Sequence, residues 1–461
     1  MTTSFQRIND LIPNKVDLGL IEIFERSVDY NTLRSDIRKN LKKYNDLNIV
    51  PGKMVLIITR KSYDQIITIY SFLELGVIGV IYSPDELQLL ILNGGYKPFD
   101  YILKDRDYVL PGILNSLTIS ETDHELLKIS NKVQDHKDII WGFFTSGSTG
   151  MRKLIGINEN NLNSRIESEK RLFKLTNSSR CLNFLNFSHE LGFYNLLAGI
   201  SAGSSLFVRN ILSAQHFYNT LYDLRISMFI GVPKLWSMLL DSELILNIKN
   251  LKSLELCTIS GGSLSFELES HIFENLAENC ELIKTYGQTE TSRSLVNKVK
   301  SMEDLKYLGK KLEGVSLKIS SSGELIHSGM GVMAGLYSFK EKIFKKVKEV
   351  NTGDVFKQND DGTFLMIDRV DRIIKSNDVR ISLTEIESLL MSSMLLEEAC
   401  CIFNKEILAF IVMKNEEEKD CFNLWLKLNT PKYIDLKKIY FLNNLPVNSA
   451  GKISYEKLRM L

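Results

Sequence analysis

One stretch decides the fold, and it consists of Trp141-Gly142-Phe143-Phe144-Thr145-Ser146-Gly147-Ser148-Thr149-Gly150-Met151-Arg152-Lys153. The apolar residues 139–144 predict a buried strand. The glycines that follow let backbone N–H groups turn toward an anion, while the hydroxyls and Lys153 add donors and positive charge. The stretch therefore predicts a phosphate-binding loop, although the GxxxxGK[ST] spacing of a Walker A loop fails after Gly147. The alternative is a flexible Ser/Gly linker, but linkers seldom follow a buried strand and end on lysine.

Length and composition set the outer bounds. The 461 residues are 44% hydrophobic and 25% charged, which is typical of globular proteins and allows more than one domain. The formal net charge of +1 argues against a general attraction to nucleic acid or membrane surfaces. No apolar run reaches the ~18 residues of a membrane span, and residues 1–10 lack the pattern of a secretory signal. The six cysteines form no CxxC pair, so we expect reduced thiols, no zinc site and a cytoplasmic location.

Strand-like and helical patterns alternate over the first 300 residues. Predicted strands lie at 54–58, 77–82, 101–103, 139–144, 181–185, 205–208, 228–230 and 256–259, and predicted helices at 63–75, 191–201, 233–240 and 265–279. This alternation predicts an α/β fold of mostly parallel sheets covered by helices. After about residue 300, short segments separated by Gly and Asp turns predict small antiparallel structure. The densely charged residues 369–378 are typical of a linker, and the remaining residues can form a small α+β domain.

Five further motifs follow the loop in order. They are Thr285-Tyr286-Gly287-Gln288-Thr289-Glu290, Gly323-Glu324-Leu325-Ile326 with Gly331-Val332-Met333-Ala334-Gly335-Leu336-Tyr337, Asn351-Thr352-Gly353-Asp354-Val355-Phe356, Asp368-Arg369-Val370-Asp371-Arg372-Ile373-Ile374-Lys375, and Leu445-Pro446-Val447-Asn448-Ser449-Ala450-Gly451-Lys452-Ile453. Together with the loop, they closely resemble the core motifs of the adenylate-forming (ANL) superfamily. That superfamily includes acyl- and aryl-CoA ligases, the adenylation domains of nonribosomal peptide synthetases, and luciferases. The match runs from about Tyr30 to Lys452, which is nearly the whole chain.

The resemblance implies a two-domain architecture and a reaction. A large N-terminal domain, residues 1–370, would bind ATP and the acid and carry a β-barrel-like subdomain. A small mobile C-terminal domain, residues 371–461, would bring the catalytic lysine. In the family's chemistry a carboxylate attacks the α-phosphate of ATP, which gives an acyl-adenylate and pyrophosphate, and a thiol then displaces AMP. The first step joins an anion to a polyanion and therefore needs cations and Mg²⁺.

The resemblance also gives roles to individual residues. Catalytic roles fall to Lys452, His189 and Thr289, a Mg²⁺-binding role to Glu290, and a hinge role to Asp371. ATP and AMP would be held by Thr145, Ser146, Gly147, Ser148, Thr149, Gly150, Lys153, Gly261, Tyr286, Gly287, Asp354 and Arg369. Each motif has a simpler alternative when it stands alone: Thr352-Gly353-Asp354 as a turn, Glu290 as a helix N-terminal acid, and Lys452 as a solvated lysine.

The acid pocket is the least defined part of the prediction. Positions aligned with the family's pocket are Glu190, Tyr194, Ile230, Ser260 and Arg293. His189 would close the wall beside the substrate carboxylate, with an interior hydrogen-bonded histidine as the alternative. Glu190 stands where α-amino-acid enzymes carry an Asp, and it could instead meet an amine further along the substrate. Arg293 could pair with a substrate carboxylate or phenolate, or face solvent at a helix start.

The thiol acceptor would be a free-standing carrier protein or CoA. The segment Ser260-Gly261-Gly262-Ser263 superficially resembles a phosphopantetheine site, but its position in mid-fold favours a turn at the pocket floor. Asn377 and Asp378 stand where the family usually has a basic residue and the glycine that lines the thiol path, so adenylation is better supported than thioester formation. The sequence thus predicts an ATP- and Mg²⁺-dependent ligase for an acyl or aryl acid. The alternatives are a stand-alone α- or β-amino-acid adenylation enzyme and an inactive nucleotide-binding homologue.

Overall fold

The structure is a computed structural model. It describes residues 11–13, 19–24, 26–83, 98–105, 118–120, 124–128, 136, 138–145, 153–376, 379–404, 406–431, 434, 436–446 and 453–461. The strands are β1 (Leu20–Ile23), β2 (Arg26–Asp29), β3 (Met54–Ile58), β4 (Ile78–Ile81), β5 (Tyr101–Asp105), β6 (Thr118–Ser120), β7 (His124–Lys128), β8 (Trp141–Phe144), β9 (Leu154–Ile157), β10 (Arg180–Asn183), β11 (Ser205–Val208), β12 (Met228–Phe229), β13 (Leu256–Ile259), β14 (Glu281–Gln288), β15 (Ser292–Val299), β16 (Lys310–Lys311), β17 (Val315–Ile319), β18 (Glu324–Gly329), β19 (Gly335–Ser338), β20 (Ile343–Lys346), β21 (Glu349–Gln358), β22 (Phe364–Arg369), β23 (Ile373–Ser376), β24 (Val379–Ser382), β25 (Leu396–Asn404), β26 (Glu406–Met413) and β27 (Leu436–Phe441).

The helices lie mostly between these strands. They are α1 (Tyr30–Asp46), α2 (Tyr63–Leu75), α3 (Glu159–Leu172), α4 (Glu190–Ser201), α5 (Ala214–Asp223), α6 (Pro233–Asp241), α7 (Ile245–Ile248), α8 (Phe266–Glu274), α9 (Leu383–Met391), α10 (Lys419–Asn429) and α11 (Tyr455–Leu458). Local chemistry sets their ends. Ser62 accepts a hydrogen bond from the backbone N–H of Gln65 at the start of α2, and Gly76 ends that helix with a φ of 68°.

Two large sheets form the core of residues 20–346. One has the order β16-β15-β14-β13-β12-β10-β11-β1-β2, and the other β20-β19-β9-β8-β4-β3-β5-β7-β6. The central pairs of both are parallel, such as β10 with β12 and β3 with β4, and antiparallel strands extend them. Buried strands such as Met54–Ile58 are apolar at every position, as expected where helices cover both faces of a parallel sheet.

The chain divides into two compact units by contacts. The first comprises Met1–Ser316 and His327–Val350, and the second Leu317–Ile326 and Asn351–Leu461. The second unit has a core of its own, in which helix α9 packs on the sheet β25-β26-β27 around Ile386, Leu390 and Ile411. The domain boundary predicted between residues 370 and 371 is the position of a hinge. Compact units defined by their internal contacts do not locate a hinge, so this boundary stays a prediction.

The predicted α/β class is confirmed. Strands β3, β11 and β13 and helix α2 have the predicted bounds, whereas α8 ends at Glu274, earlier than predicted. The antiparallel strands at residues 300–369 divide among three sheets, and β16 extends the first large sheet by pairing with β15. β17, β18, β21 and β22 form a four-stranded sheet, and β19 and β20 extend the second large sheet.

Candidate active site

The predicted phosphate-binding loop connects two paired strands, β8 and β9. β8 pairs with β9, and the backbone N–H of Thr145 donates to the carbonyl of Lys153 at 2.9 Å. Thr145 is buried, and its Oγ1 has no hydrogen-bond partner in the described part of the chain, whereas Lys153 is exposed. A buried hydroxyl without a partner is costly, which favours an oxygen-rich ligand beside it. Ser146, Gly147, Ser148, Thr149 and Gly150 lie outside the described residues.

The motif Tyr286–Glu290 is the end of a strand and the turn after it. β14 continues through Gln288 and pairs antiparallel with β15, so Glu290 lies in a hairpin, and the alternative of a helix N-terminus is wrong. The ladder is irregular between Tyr286 and Gly287. A Cβ on Gly287 would lie 1.9 Å from the carbonyl oxygen of Ser292, so only glycine fits there. Ser292 itself has a φ of 55°, a strained conformation of the kind that clusters at functional sites.

A chain of hydrogen bonds holds this turn. The backbone N–H of Gln288 donates to the Thr291 hydroxyl at 3.3 Å, and the hydroxyls of Thr291 and Ser294 are 3.3 Å apart. Nδ1 of the buried His327 is 2.7 Å from the Ser294 hydroxyl, and its Nε2 is 2.8 Å from the carbonyl of Met330. Because a carbonyl only accepts, Nε2 carries the proton and Nδ1 accepts from Ser294. Burial lowers the pKa of His327 and so favours this neutral form.

Glu290 lies at the tip of the turn. Its carbonyl accepts a 2.9 Å hydrogen bond from the backbone N–H of Met333. Its side chain is half-buried and has no hydrogen bond or ion pair with any described residue. A half-buried carboxylate that no described side chain pairs with suits a hard cation such as Mg²⁺, which keeps several waters and phosphate oxygens as its other ligands.

A pocket opens beside the turn. Its lining consists of Phe143, Ile157, Asn161, Glu190, Tyr194, Thr289, Ser292 and Gly331. Of the residues predicted for the acid pocket, Glu190 and Tyr194 are in this lining. Ile230 and Ser260 are fully buried outside it, and the Ser260 hydroxyl is bonded to those of Thr258 and Thr285.

Four charged side chains lie together at the pocket wall, and we call Arg165, Glu169, Glu190 and Arg293 the charge cluster. Glu190 lines the pocket, and the other three are buried. Oε1 of Glu169 is 2.6 Å from Nη2 of Arg165 and 3.0 Å from Nη2 of Arg293. Oε1 of Glu190 is 3.7 Å from Nη2 of Arg165 and accepts a 2.5 Å hydrogen bond from Ser292. Burial raises the pKa of Glu190, while the positive charge of Arg165 opposes that rise. Burial lowers the pKa of Arg293, and the nearby Glu169 opposes that change.

The charge cluster is not fully hydrogen-bonded. Nε of Arg165, Nε and Nη1 of Arg293 and Oε2 of Glu169 are buried without a partner among the described residues. Two aromatic rings partly compensate, since the guanidinium of Arg165 lies 5.5 Å from the Tyr194 ring and that of Arg293 5.0 Å from the Phe173 ring. The alternative that Arg293 faces solvent at a helix start is wrong, because it is buried on β15.

Arg165 and Glu169 were not among the residues predicted from the sequence. Both lie on the buried face of α3 with Leu162, Ile166 and Leu172. The two residues are four positions apart and fall on the apolar face of the helix. This pattern could have predicted a buried ion pair, because a charge on an apolar face needs a buried partner.

Three further predicted residues, His189, Gly261 and Tyr286, lie in the first unit near the start of α4 and on or after strands β13 and β14. His189 immediately precedes α4 and is exposed, so the alternative of an interior histidine is wrong. Gly261 has a φ of 80° in the turn after β13, and a Cβ there would lie 3.1 Å from Leu191. Tyr286 is half-buried on β14. Their roles in binding and catalysis stay predictions.

In the second unit, the buried Asp354 pairs with Arg369, which is partly exposed. Asp354 lies on β21 opposite Arg369 on β22, and Nη1 of Arg369 is 2.8 Å from Oδ1 of Asp354. The segment is a strand, so the alternative of a simple turn at Asp354 is wrong. A Cβ on Gly353, whose φ is 71°, would lie 3.0 Å from the Arg369 guanidinium, so the glycine allows this close approach. Asp371 is mostly exposed, and its Oδ1 is 3.5 Å from Nε of Arg369.

A second set of largely buried polar and charged side chains follows, and we call Asp368, Arg372, Ser382 and Glu387 the Asp368 network. The Asp368 carboxylate accepts from the Ser382 hydroxyl at 2.5 Å, from the N–H groups of Arg369 and Thr384, and from Nε of Arg372 at 3.0 Å. Arg372 also donates to Glu387 at 2.6 Å and to the Tyr455 hydroxyl at 2.6 Å. Lys452, Asn377 and Asp378 lie outside the described residues.

Comparison with known proteins defines the family. A family profile described as AMP-binding enzyme matches residues 102–337, which is more than half of the chain. The chain belongs to the AMP-binding enzyme family. The resemblance stated from the sequence motifs is thereby confirmed.

This AMP-binding enzyme is similar to several characterised proteins. It is 23% identical to gramicidin S synthase 2 from Brevibacillus brevis over 94% of the chain. The chain spans only 10% of the length of that relative. It is 26% identical to the D-alanine–D-alanyl carrier protein ligase of Staphylococcus epidermidis, covering 84% of the chain and 87% of the ligase. The fold matches o-succinylbenzoate coenzyme A synthetase from Bacillus subtilis in complex with AMP, with a TM-score of 0.81, 19% identity and coverage of 100% and 98% of the two chains.

Two features are absent from the described residues. None of the helices there combines the length and apolar character that a membrane span requires. Nor do three or more His, Cys, Asp or Glu side chains come together there in an arrangement that could hold a metal ion. A Mg²⁺ ion that arrives with ATP needs only one or two carboxylates, so the second result is compatible with Glu290 acting alone.

Proposed function

We propose that this chain is an ATP- and Mg²⁺-dependent, AMP-forming acid–thiol ligase. It activates an acyl or aryl acid as an acyl-adenylate and then transfers the acyl group to the phosphopantetheine thiol of a free-standing carrier protein or to CoA. The observation that carries the proposal is the arrangement in the first unit. There the hairpin tip with Thr289 and Glu290 borders a pocket whose wall holds Glu190.

The residues around the triphosphate site fit a polyanion. The buried Oγ1 of Thr145 lacks a partner among the described residues, and Lys153 lies at the other end of the same loop. These groups and the loop residues Ser146, Gly147, Ser148, Thr149 and Gly150 would grip the β- and γ-phosphates. Glu290 would hold Mg²⁺, which when bound neutralises phosphate charge as pyrophosphate leaves.

The other residues position the reactants. Thr289 lines the pocket and would contact the α-phosphate, with His189 beside the substrate carboxylate and Tyr286 against adenine. In the second unit, Asp354 would accept from both ribose hydroxyls, and Arg369, which already orients its carboxylate, would hold the same sugar. Lys452 would stabilise the charge that develops between the two reacting anions. Asp371 would act as the hinge that lets the smaller domain change orientation between the two steps.

A second candidate is a stand-alone amino-acid adenylation enzyme. The similarity to gramicidin S synthase 2 and to a D-alanine–D-alanyl carrier protein ligase favours it, and the second of these names a carrier protein as acceptor. An inactive homologue is the third candidate, although Glu290, Asp354 and Lys452 are all retained. A cytoplasmic location stays a prediction from the cysteines.

Acid-dependent ATP–pyrophosphate exchange tests the proposal. A panel of acyl, aryl, α-amino and β-amino acids should give exchange with at least one acyl or aryl acid. Lys452→Ala should reduce that exchange about 10²- to 10³-fold, because it removes a cation that stabilises transition-state charge. The exposed Lys457 provides the matched control, and Lys457→Ala should leave exchange unchanged.

Three results would contradict the proposal. Exchange with amino acids alone would replace the acyl or aryl assignment with the second candidate. Undiminished exchange in Lys452→Ala would reject the role of that lysine. No exchange across the whole panel would favour the inactive homologue. Mass spectrometry of incubated carrier proteins, with CoA in parallel, then identifies the acceptor.

A further inference from the structure

We infer that the acid carries a neutral hydrogen-bond donor, a hydroxyl or an uncharged arylamine, which binds the carboxylate of Glu190. The inference rests on the proposed function and names the substrate class for it. Oε1 of Glu190 is occupied by Ser292 at 2.5 Å and lies near Arg165. Oε2 has no partner in the described chain, and Glu190 lines the pocket. The pocket therefore presents one acceptor atom in a fixed position.

The acceptor is held by strained backbone. Ser292 donates to Glu190 from a residue with a φ of 55°, opposite Gly287, where no side chain fits. Strain of this kind persists only where the surrounding structure enforces it, and it is common at ligand sites. The orientation of Glu190 is therefore fixed before any substrate binds, which reduces the entropy lost on binding.

The charge count in the cluster argues against an ammonium group. Arg165 and Arg293 share one oxygen of Glu169, and Glu190 supplies the second negative charge, so the four side chains sum to zero. A substrate ammonium would leave a net positive charge among side chains that are nearly all buried. Protonation of Glu190 would make the cluster more positive still. Either state of Glu190 therefore disfavours an amino acid in its zwitterionic form.

The same count argues against a second substrate carboxylate. Glu190 is in the pocket lining, whereas Arg165 and Arg293 are not, so a second carboxylate would meet a like charge first. A neutral donor adds no charge and gains a hydrogen bond to a carboxylate, which is stronger than one between neutral groups. Phe143, Tyr194 and Ile157 supply apolar walls, which suit an aryl ring or a similar apolar body.

Matched acids separate these possibilities. The probes are benzoic acid, the three hydroxybenzoic acids, the three aminobenzoic acids, 3-(aminomethyl)benzoic acid and isophthalic acid, with butyric, 3-hydroxybutyric and 3-aminobutyric acids as an aliphatic series. Each is tested with the full chain by pyrophosphate exchange and, independently, by calorimetric binding in the presence of AMP. The best hydroxyl or arylamine acid should exceed its parent about 10- to 100-fold in kcat/KM and in affinity, the range of one hydrogen bond to a charged group. The ammonium acids and isophthalic acid should fall below their parents.

Variants link the preference to Glu190. Glu190→Leu should reduce the ratio of donor-bearing acid to parent acid to about one. If that variant does not fold, Glu190→Gln keeps the carbonyl acceptor without the charge and should reduce the ratio about 10-fold. Glu167→Gln, on the exposed face of α3, is the control and should leave the ratio unchanged.

Each other outcome has a distinct meaning. Preference for an ammonium acid, equal activity of parent and donor-bearing acids, or no binding of any donor-bearing probe would overturn the inference. Exchange without donor preference would leave the proposed ligase function intact. Donor-selective binding without exchange would reject the ligase function and support the inference.

Discussion

The charge cluster and the Asp368 network are both sets of arginine and carboxylate side chains that are largely buried. They differ greatly in their hydrogen bonding. In the cluster, nitrogens of Arg165 and Arg293 and one oxygen of Glu169 lack partners among the described residues. In the Asp368 network, both oxygens of Asp368 accept hydrogen bonds, and Arg372 donates from all three of its nitrogens. The two sets therefore differ in how completely their hydrogen bonds are formed.

The difference indicates different roles. An unsatisfied buried polar atom costs about 1–3 kcal/mol, so a set that leaves several of them is retained for something other than stability. The charge cluster reaches the pocket through Glu190, where a substrate or water can bond the carboxylate oxygen that Ser292 leaves open. The Asp368 network joins the segment after β22 to the start of α9, so its completeness suits a mechanical connection. Incomplete bonding thus marks recognition, and complete bonding marks support.

Removing the shared carboxylate of the cluster should have the largest effect. Glu169→Gln leaves Arg165 and Arg293 without the negative charge that both contact, which should lower the free energy of unfolding of the first unit by about 3–5 kcal/mol. Hydrogen exchange of the α3 amides under native conditions measures this. Glu167→Gln removes an exposed carboxylate from the same helix and should change the protection by less than about 0.5 kcal/mol. A loss below 1 kcal/mol for Glu169→Gln would mean that water already compensates both arginines.

The sequence predicted local features well and distant partnerships poorly. Helix α2 has its predicted bounds because Ser62 and Gly76 are adjacent cap signals. Glu169 and Arg293 are 124 residues apart in the sequence, so no local sequence pattern predicts that they pair. The hairpin at Ser292 was also missed, since its irregular ladder depends on a glycine that looks like an ordinary motif residue. The motifs thus predicted nucleotide-binding residues from local sequence, and their roles stay predictions, while the acid pocket required the fold.

Asp368→Asn should have the next largest effect. The variant loses the negative charge that organises bonds from Ser382, Thr384 and Arg372, so protection of the α9 amides should fall by about 1–3 kcal/mol. Burial alone would raise the pKa of Asp368, but the hydrogen bonds from Ser382, Thr384 and Arg369 outweigh it and hold the pKa below its ordinary value.

The pH dependence provides a second test of Asp368. Because its pKa is lower in the folded chain, its contribution is complete above the unfolded value of about 3.9 and is lost as pH falls through the folded value. The native protein should therefore lose α9 protection below about pH 4, and Asp368→Asn should lack that component. Asp360→Asn, at an exposed turn, is the control. Equal acid sensitivity of the native protein and Asp368→Asn would assign the effect to another carboxylate.

His327→Asn should have the smallest effect and gives the most direct test of the comparison. His327 belongs to the first unit, as the charge cluster does, but both of its ring nitrogens are bonded, to Ser294 and Met330. If complete bonding marks support, the variant should weaken the turn that carries Thr289 and Glu290 by about 1–2 kcal/mol, with a higher KM for ATP. The ratio of activity with donor-bearing and parent acids should not change, because the hydrogen bonds of His327 go to Ser294 and Met330 and not to Glu190 or Ser292. Ser294→Ala, which removes the next hydroxyl of the same chain, should reproduce both results. A changed acid ratio in either variant would show that a fully bonded network also sets substrate selection, and the distinction between the two kinds of buried polar set would then fail.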